Sequence, residues 1–182
     1  AQSSTPANAK LTLKGVAGGI SCLASGDTLI ISGSGTYTEN VLSGIPSGSD
    51  DTHRTVIEAA NGVSVTVSGE FCFCSGEQFI RLQAFKVDKT GLVGDSCAIC
   101  IFNTGTGHID LVNMETTGEL NGSGTLAGTA STHSSGGDRF INLHSHHNGN
   151  PSVTPQLYHG LYIEFADNET DTGGEFDHNT GA

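Results

Sequence analysis

His144, His146 and His147 form the densest chemical cluster of the chain, with His159 close behind. Near neutral pH an imidazole acts as a general base or, unprotonated, as a metal ligand. A catalytic zinc site wants three protein ligands and an open position. On a strand His144 and His146 share a face while His147 points away. The structural alternative is a side-chain ladder in a turn, and the second His-Asn pair at His178-Asn179 favours it. The main oxygen cluster is Asp167, Asn168, Glu169, Asp171 and Glu175. Hard cations such as calcium take such oxygens, but the spacing is not that of an EF-hand. The cluster reads first as a solvated acidic turn, with a metal site at Asp167, Asn168, Glu169 and Asp171 as the functional alternative.

Short strands must position these groups. FIRLQAFKV at 79–87, HIDLVNMET at 108–116 and FINLHSHHN at 140–148 align, with Ile at 80, 109 and 141 and Leu at 82, 111 and 143. The offsets are 29 and then 32 residues. Matched strands at such a period predict stacked coils, because one unit cannot bury its apolar face alone. Parity sends the Ile and Leu columns inward. The outward columns are then Phe79/His108/Phe140, Arg81/Asp110/Asn142 and Gln83/Val112/His144. Aromatic faces for sugar rings and polar groups for hydroxyls suit a polysaccharide. The candidate contacts are Phe79, Arg81, His108, Asp110, Phe140, Asn142 and His144. The plainer reading is cross-strand surface pairing, with Arg81–Asp110 an exposed ion pair worth ~0–1 kcal/mol.

Composition agrees with an all-β fold. Glycine is abundant at 26 residues, proline numbers 4, and Gly, Ser, Thr and Asn punctuate short apolar runs. No helical apolar rhythm persists over three turns. With 7 Lys plus Arg against 19 Asp plus Glu, the net charge is −12. A surface that tracks phosphates needs clustered cations, so nucleic acid is disfavoured. Anionic membrane surfaces are disfavoured likewise, and no apolar run is long enough to span a bilayer. The opening AQSSTPANAK reads like a mature terminus left after signal cleavage.

Cys72, Cys74, Cys97 and Cys100 fall in CFC and CAIC segments about one coil apart, and Cys22 stands alone. Coils ~4.8 Å apart let sulfurs of adjacent coils meet, so disulfides are expected there, in an oxidising compartment. The alternative is a stack of buried thiols.

GDTLIISGSGTYTE at 26–39 resembles the opening motif of right-handed parallel β-helix proteins of the pectate-lyase-like superfamily. INLHSHHNGN at 141–150 and HGLYIEFADNETDTGGEFDHNTG at 159–181 are similar to that superfamily's repeat. The resemblance implies an all-β, right-handed parallel β-helix, a single-stranded solenoid of about six coils. It implies a secreted protein that binds or cleaves extracellular polysaccharide, with calcium as the one cofactor suggested. A uronate lyase of this kind takes Arg or Lys as base, for which Arg81, Lys86 and Arg139 are available. A hydrolase needs paired carboxylates, for which Asp110, Glu115 and Asp138 are available. One domain is expected over 1–182, with 1–25 covering the first coil. The sequence stops at Ala182 in mid-repeat with no polar cap after residue 173. A bare coil edge templates another chain. Either the chain is part of a longer protein or its end packs on a neighbour, and the second expectation is a structural subunit, stacking head to tail with copies of itself in a filament, sheath or adhesin.

Overall fold

Alternating aliphatic and polar residues become sixteen short strands in parallel ladders in the computed structural model, which describes residues 12–14, 18–92, 97–128, 136–150, 159–164 and 166–179. Thr28–Ile31 (β1) and Gly35–Thr38 (β2) form a partial first turn. Three-stranded turns follow. They are Thr55–Ala59 (β3), Val65–Ser68 (β4) and Phe71–Phe73 (β5), then Gln78–Gln83 (β6), Lys86–Asp88 (β7) and Cys97–Ile101 (β8). Next come Gly107–Val112 (β9), Glu115–Thr117 (β10) and Ser123–Ala127 (β11), then Arg139–Ile141 (β12), His144–His146 (β13) and Leu161–Ile163 (β14). Thr170–Thr172 (β15) and Glu175–Asp177 (β16) close the described chain.

The strands stack into three sheets: β1-β3-β6-β9-β12-β15, β2-β4-β7-β10-β13-β16, and β5-β8-β11-β14. The protein is an all-β parallel solenoid with four complete turns where six were expected. Among the described residues the regular helix is one 3-10 turn, Ile20–Cys22, and no helix is long and apolar enough to cross a membrane.

Ladder partners fill the interior. Ile57, Leu82, Leu111 and Phe140 stack in register in the first sheet and are fully buried. Each such side chain contributes ~1.5–3 kcal/mol on leaving water. In the second sheet the inner column runs Val67, Val87, Thr116, Ser145, Phe176, with a polar pair between apolar neighbours. The Thr116 hydroxyl donates to Ser145 Oγ at 2.6 Å, and Ser145 donates to the Gly160 carbonyl at 2.8 Å. Gly124 makes room for them, since a Cβ there would lie 2.1 Å from Ser145 Oγ.

The register corrects one expectation. β9 pairs with β12 as Asp110↔Arg139, Leu111↔Phe140 and Val112↔Ile141. The second offset is therefore 29, not 32. Phe140 faces the core, Ile141 is half-buried, and Leu143 fills a corner. The corner decides this. Ala84, Asn113 and Asn142 adopt left-handed φ of 62°, 51° and 51°. Asparagine tolerates that conformation well, and Asn142 Nδ2 donates to Asn113 Oδ1 at 2.9 Å. The buried residues that follow, Phe85, Met114 and Leu143, then stack at the same corner.

Cys72 bridges Cys74, and Cys97 bridges Cys100. The expected pairing across adjacent coils is not formed, although Cys72 and Cys100 are ladder partners. Cys22 stays unbridged and exposed. Within the first 25 residues, Leu13 and Ile20 bury in the core, and the Glu39 carboxylate accepts the Leu13 and Lys14 N–H groups at 2.9 and 2.7 Å. The terminal residues on which the self-stacking expectation rests, 180–182, lie outside the described residues.

Candidate functional site

Three guanidiniums converge on one carboxylate on the outer side of the first sheet. Asp110 of β9 sits between its ladder partners Arg81 of β6 and Arg139 of β12. Arg81 donates from Nε and Nη2 to Asp110 Oδ2 at 3.1 and 2.8 Å. Arg139 donates from Nε to Oδ1 at 2.8 Å and from Nη2 to Oδ2 at 2.7 Å. Arg54, on the approach to β3, brings Nε to 3.3 Å from Oδ2. It also donates to the Asp51 carboxylate and the His108 carbonyl. Asp110 is wholly buried, so the expected exposed ion pair is instead a buried hub. The Arg81 and Arg139 side chains remain 34% and 38% exposed. Burial pulls the Arg54 pKa down, whereas its hydrogen bonds to Asp110 push Arg139 up.

Phe79 and His108 lie beside this hub with rings stacked 4.5 Å apart, and the Arg54 guanidinium is 6.0 Å from the centre of the Phe79 ring. Both take left-handed φ, 53° and 54°. Gly137 continues the column in the next turn, where a Cβ would lie 3.0 Å from the His108 ring. Four of the seven predicted polysaccharide contacts, Phe79, Arg81, His108 and Asp110, are thus together. Phe140 is in the core, Asn142 in the corner ladder, and His144 on the second sheet. Sequence reasoning missed Arg54 entirely. Arg139 could have been placed by carrying the 29-residue offset from Asp110 once more.

The acidic segment forms no convergent ligand set. The Asp167 carbonyl accepts from Gly137 N–H at 2.7 Å, Asn168 is left-handed, and Asp171 is exposed on β15 opposite Phe140. Glu169 instead stacks on Asp138, which occupies the register position of Ile80 and Ile109. Burial pushes Asp138 up to about 6 and Glu169 to about 8, Glu169 being raised further by the Asp138 charge. Folded pKa values above the unfolded ones mean the fold binds extra protons between about pH 4 and 8. The pair's contribution is complete at acid pH and is lost as pH rises toward 8. Glu169→Gln should therefore stabilise the protein by ~1–2 kcal/mol at pH 8 and hardly at pH 4, allowing for partial exposure of Glu169. Urea unfolding of both proteins at the two pH values reads this directly. An equal difference at both would refute it.

The outer face of the second sheet carries the histidines. Glu115 of β10 is the ladder partner of His144 on β13, and His146 shares that face. His146 Nε2 lies 3.0 Å from Glu115 Oε1, His144 Nε2 lies 2.9 Å from Asp177 Oδ1, and the two imidazole centres are 4.4 Å apart. Lys86 Nζ is also 3.0 Å from Glu115 Oε1. Against the opposing effect of partial burial, hydrogen bonds from His146 and Lys86 hold Glu115 below the usual carboxylate range. His147 and His178 stack at 5.0 Å with rings almost parallel, beside an Asn148–Asn179 ladder closed at 3.0 Å. The ladder reading describes His147 and His178, whereas His144 and His146 face carboxylates.

Behind the second and third sheets, Lys89 is buried with two buried acids. Its Nζ lies 2.6 Å from Glu119, 3.6 Å from Glu70, and 3.2 Å from the Cys97 carbonyl. Nothing in the local sequence around Lys89 announces this, because the three residues come from different turns.

Fold and sites together define a parallel β-solenoid with two chemically built outer faces. No family model matches the chain, and neither a curated protein nor a solved structure is significantly similar to it.

Proposed function

We propose that this chain is a secreted β-solenoid of pectate-lyase-like type that binds an acidic extracellular polysaccharide across the outer face of its first sheet. The observation that carries this reading is the gathering of Arg54, Arg81 and Arg139 around Asp110. Three of the chain's seven cations meet there, in a protein of net charge −12. Three guanidiniums against Asp110 and Asp51 leave a local positive excess. Each guanidinium has five N–H donors, so the half-exposed Arg81 and Arg139 retain donors for a ligand carboxylate. Their strands lie two ladder steps apart, yet both Nη2 groups come within 2.8 Å of Asp110 Oδ2, close enough to act together on one ligand carboxylate. The Phe79–His108 stack offers an adjoining flat face for a sugar ring. The oxygens of Asp110 are already engaged by the arginines, which favours binding over acid–base cleavage. The two disulfides fit an oxidising compartment.

A panel of polyuronates and neutral glucans, run with and without calcium, tests the proposal. Tight binding confined to the polyuronates and weakened by salt is expected. The Arg81→Gln/Arg139→Gln double variant should bind at least tenfold more weakly, since each charge-assisted hydrogen bond contributes ~1.5–3 kcal/mol. Equal affinity for neutral glucans, or unchanged binding in the double variant, would overturn it.

A further inference from the structure

We propose that the outer face of the second sheet is a binding site for a zinc-class transition-metal ion, held by His144, His146 and Glu115. The fold generates this set directly. Residues two apart on β13 project to one face, and the ladder places Glu115 of β10 opposite His144. One donor atom from each of the three residues lies within 4.8 Å of the other two. Ligands at ~2.0–2.1 Å around a tetrahedral zinc stand about 3.3 Å from one another. The His146–Glu115 pair, at 3.0 Å, is already near that spacing. Three donors on one side of a flat sheet leave the solvent side open. His144 and Glu115 are 40% and 38% exposed, so an ion and one outside ligand can reach them.

The surrounding contacts support ligation. Metal-binding imidazoles engage a partner through their second nitrogen, which fixes tautomer and ring orientation. His146 Nδ1 lies 2.6 Å from His147 Nδ1, so one of these nitrogens carries the proton. Without metal, His146 Nε2 donates to Glu115; with metal bound, the imidazole proton sits on Nδ1, shared with His147, and the Nε2 lone pair ligates. His147 is itself held by its stack on His178. Asp177 accepts from His144 Nε2 and orients that ring, leaving the other nitrogen to ligate. Two imidazoles and one carboxylate select zinc, copper or nickel over calcium and magnesium. The neighbouring group of His144, Glu175 and Asp177 also brings its donors within 4.8 Å, but it has only one imidazole. Lys86 is the cation with which the metal competes for Glu115.

Calorimetric titration of tag-free protein with zinc, and absorption spectroscopy of the cobalt-loaded form, test the site. One ion per chain with at least hundredfold preference over calcium is expected. His144→Ala and His146→Ala should each weaken binding at least hundredfold. His147→Ala should weaken it about tenfold, through loss of the outer partner. All these side chains are at least partly exposed, so circular dichroism should confirm unchanged folding in each variant. Zinc should also raise the melting temperature of the wild type and not that of the His144→Ala/His146→Ala double variant. Binding weaker than millimolar, affinity undiminished in the double variant, or equal affinity for calcium would overturn the proposal.

Discussion

Asp110→Ala is expected to cost about 3–5 kcal/mol of folding stability, the range for stripping one partner from a buried ionic group. Ordinary surface ion pairs are worth only ~0–1 kcal/mol, so the two descriptions of this residue predict different outcomes. The larger value follows from the geometry. Asp110 is wholly buried, and Nε of the buried Arg54 stands 3.3 Å from its Oδ2 as an ion pair. Arg81 and Arg139 can regain water after the substitution, but Arg54 cannot do so without opening the turn before β3. Asp110→Asn keeps the shape and some acceptor capacity, and should cost less, about 1–3 kcal/mol. Urea unfolding midpoints at constant slope give both values. A loss below 1 kcal/mol for the alanine variant would show the arginines to be solvated. It also follows that lost polysaccharide binding in Asp110→Ala is not diagnostic, whereas the arginine variants are.

Lys89→Met is expected to be comparably damaging at neutral pH, again by about 3–5 kcal/mol. Lys89, Glu70 and Glu119 are all buried, and removing the ammonium takes away the cation that both carboxylates face. Adding Glu70→Gln and Glu119→Gln to Lys89→Met should recover a large part of the loss, because well-packed neutral groups can replace a buried ion cluster. No recovery in the triple variant would mean that Lys89 matters for its packing alone.

Much of the fold could be read in the sequence because a parallel solenoid repeats locally. Ile80-x-Leu82 and Ile109-x-Leu111 give parity and period together, and the structure pairs them as read. The third repeat misled because apolar spacing has more than one solution. Phe140 fills the inner column as well as an isoleucine does, so Ile-x-Leu at 141–143 could be matched to the wrong turn. The decisive signal was asparagine: Asn113 and Asn142 share the left-handed corner 29 residues apart. That shift moved Asn142 and His144 away from the first sheet's face and put Arg139 against Asp110. Asp138, read as a candidate acid, proved to stand where earlier turns have isoleucine, which explains its raised pKa.

The sequence by itself determined the all-β repeat, its inward aliphatic columns, the acidic balance and the clustering of cysteines and histidines. All of these depend on residues near one another in the chain or on a fixed period. Tertiary structure alone decided which charges meet. Arg54, Arg81, Asp110 and Arg139 are far apart in the chain but adjacent in the stack, as are Glu70, Lys89 and Glu119. Glu115 reaches the histidines only through the β10–β13 ladder. Side-chain electrostatics act over a few ångströms, so their pattern follows the register between turns. A shift of three residues in that register separates an arginine hub around a buried aspartate from scattered surface charges.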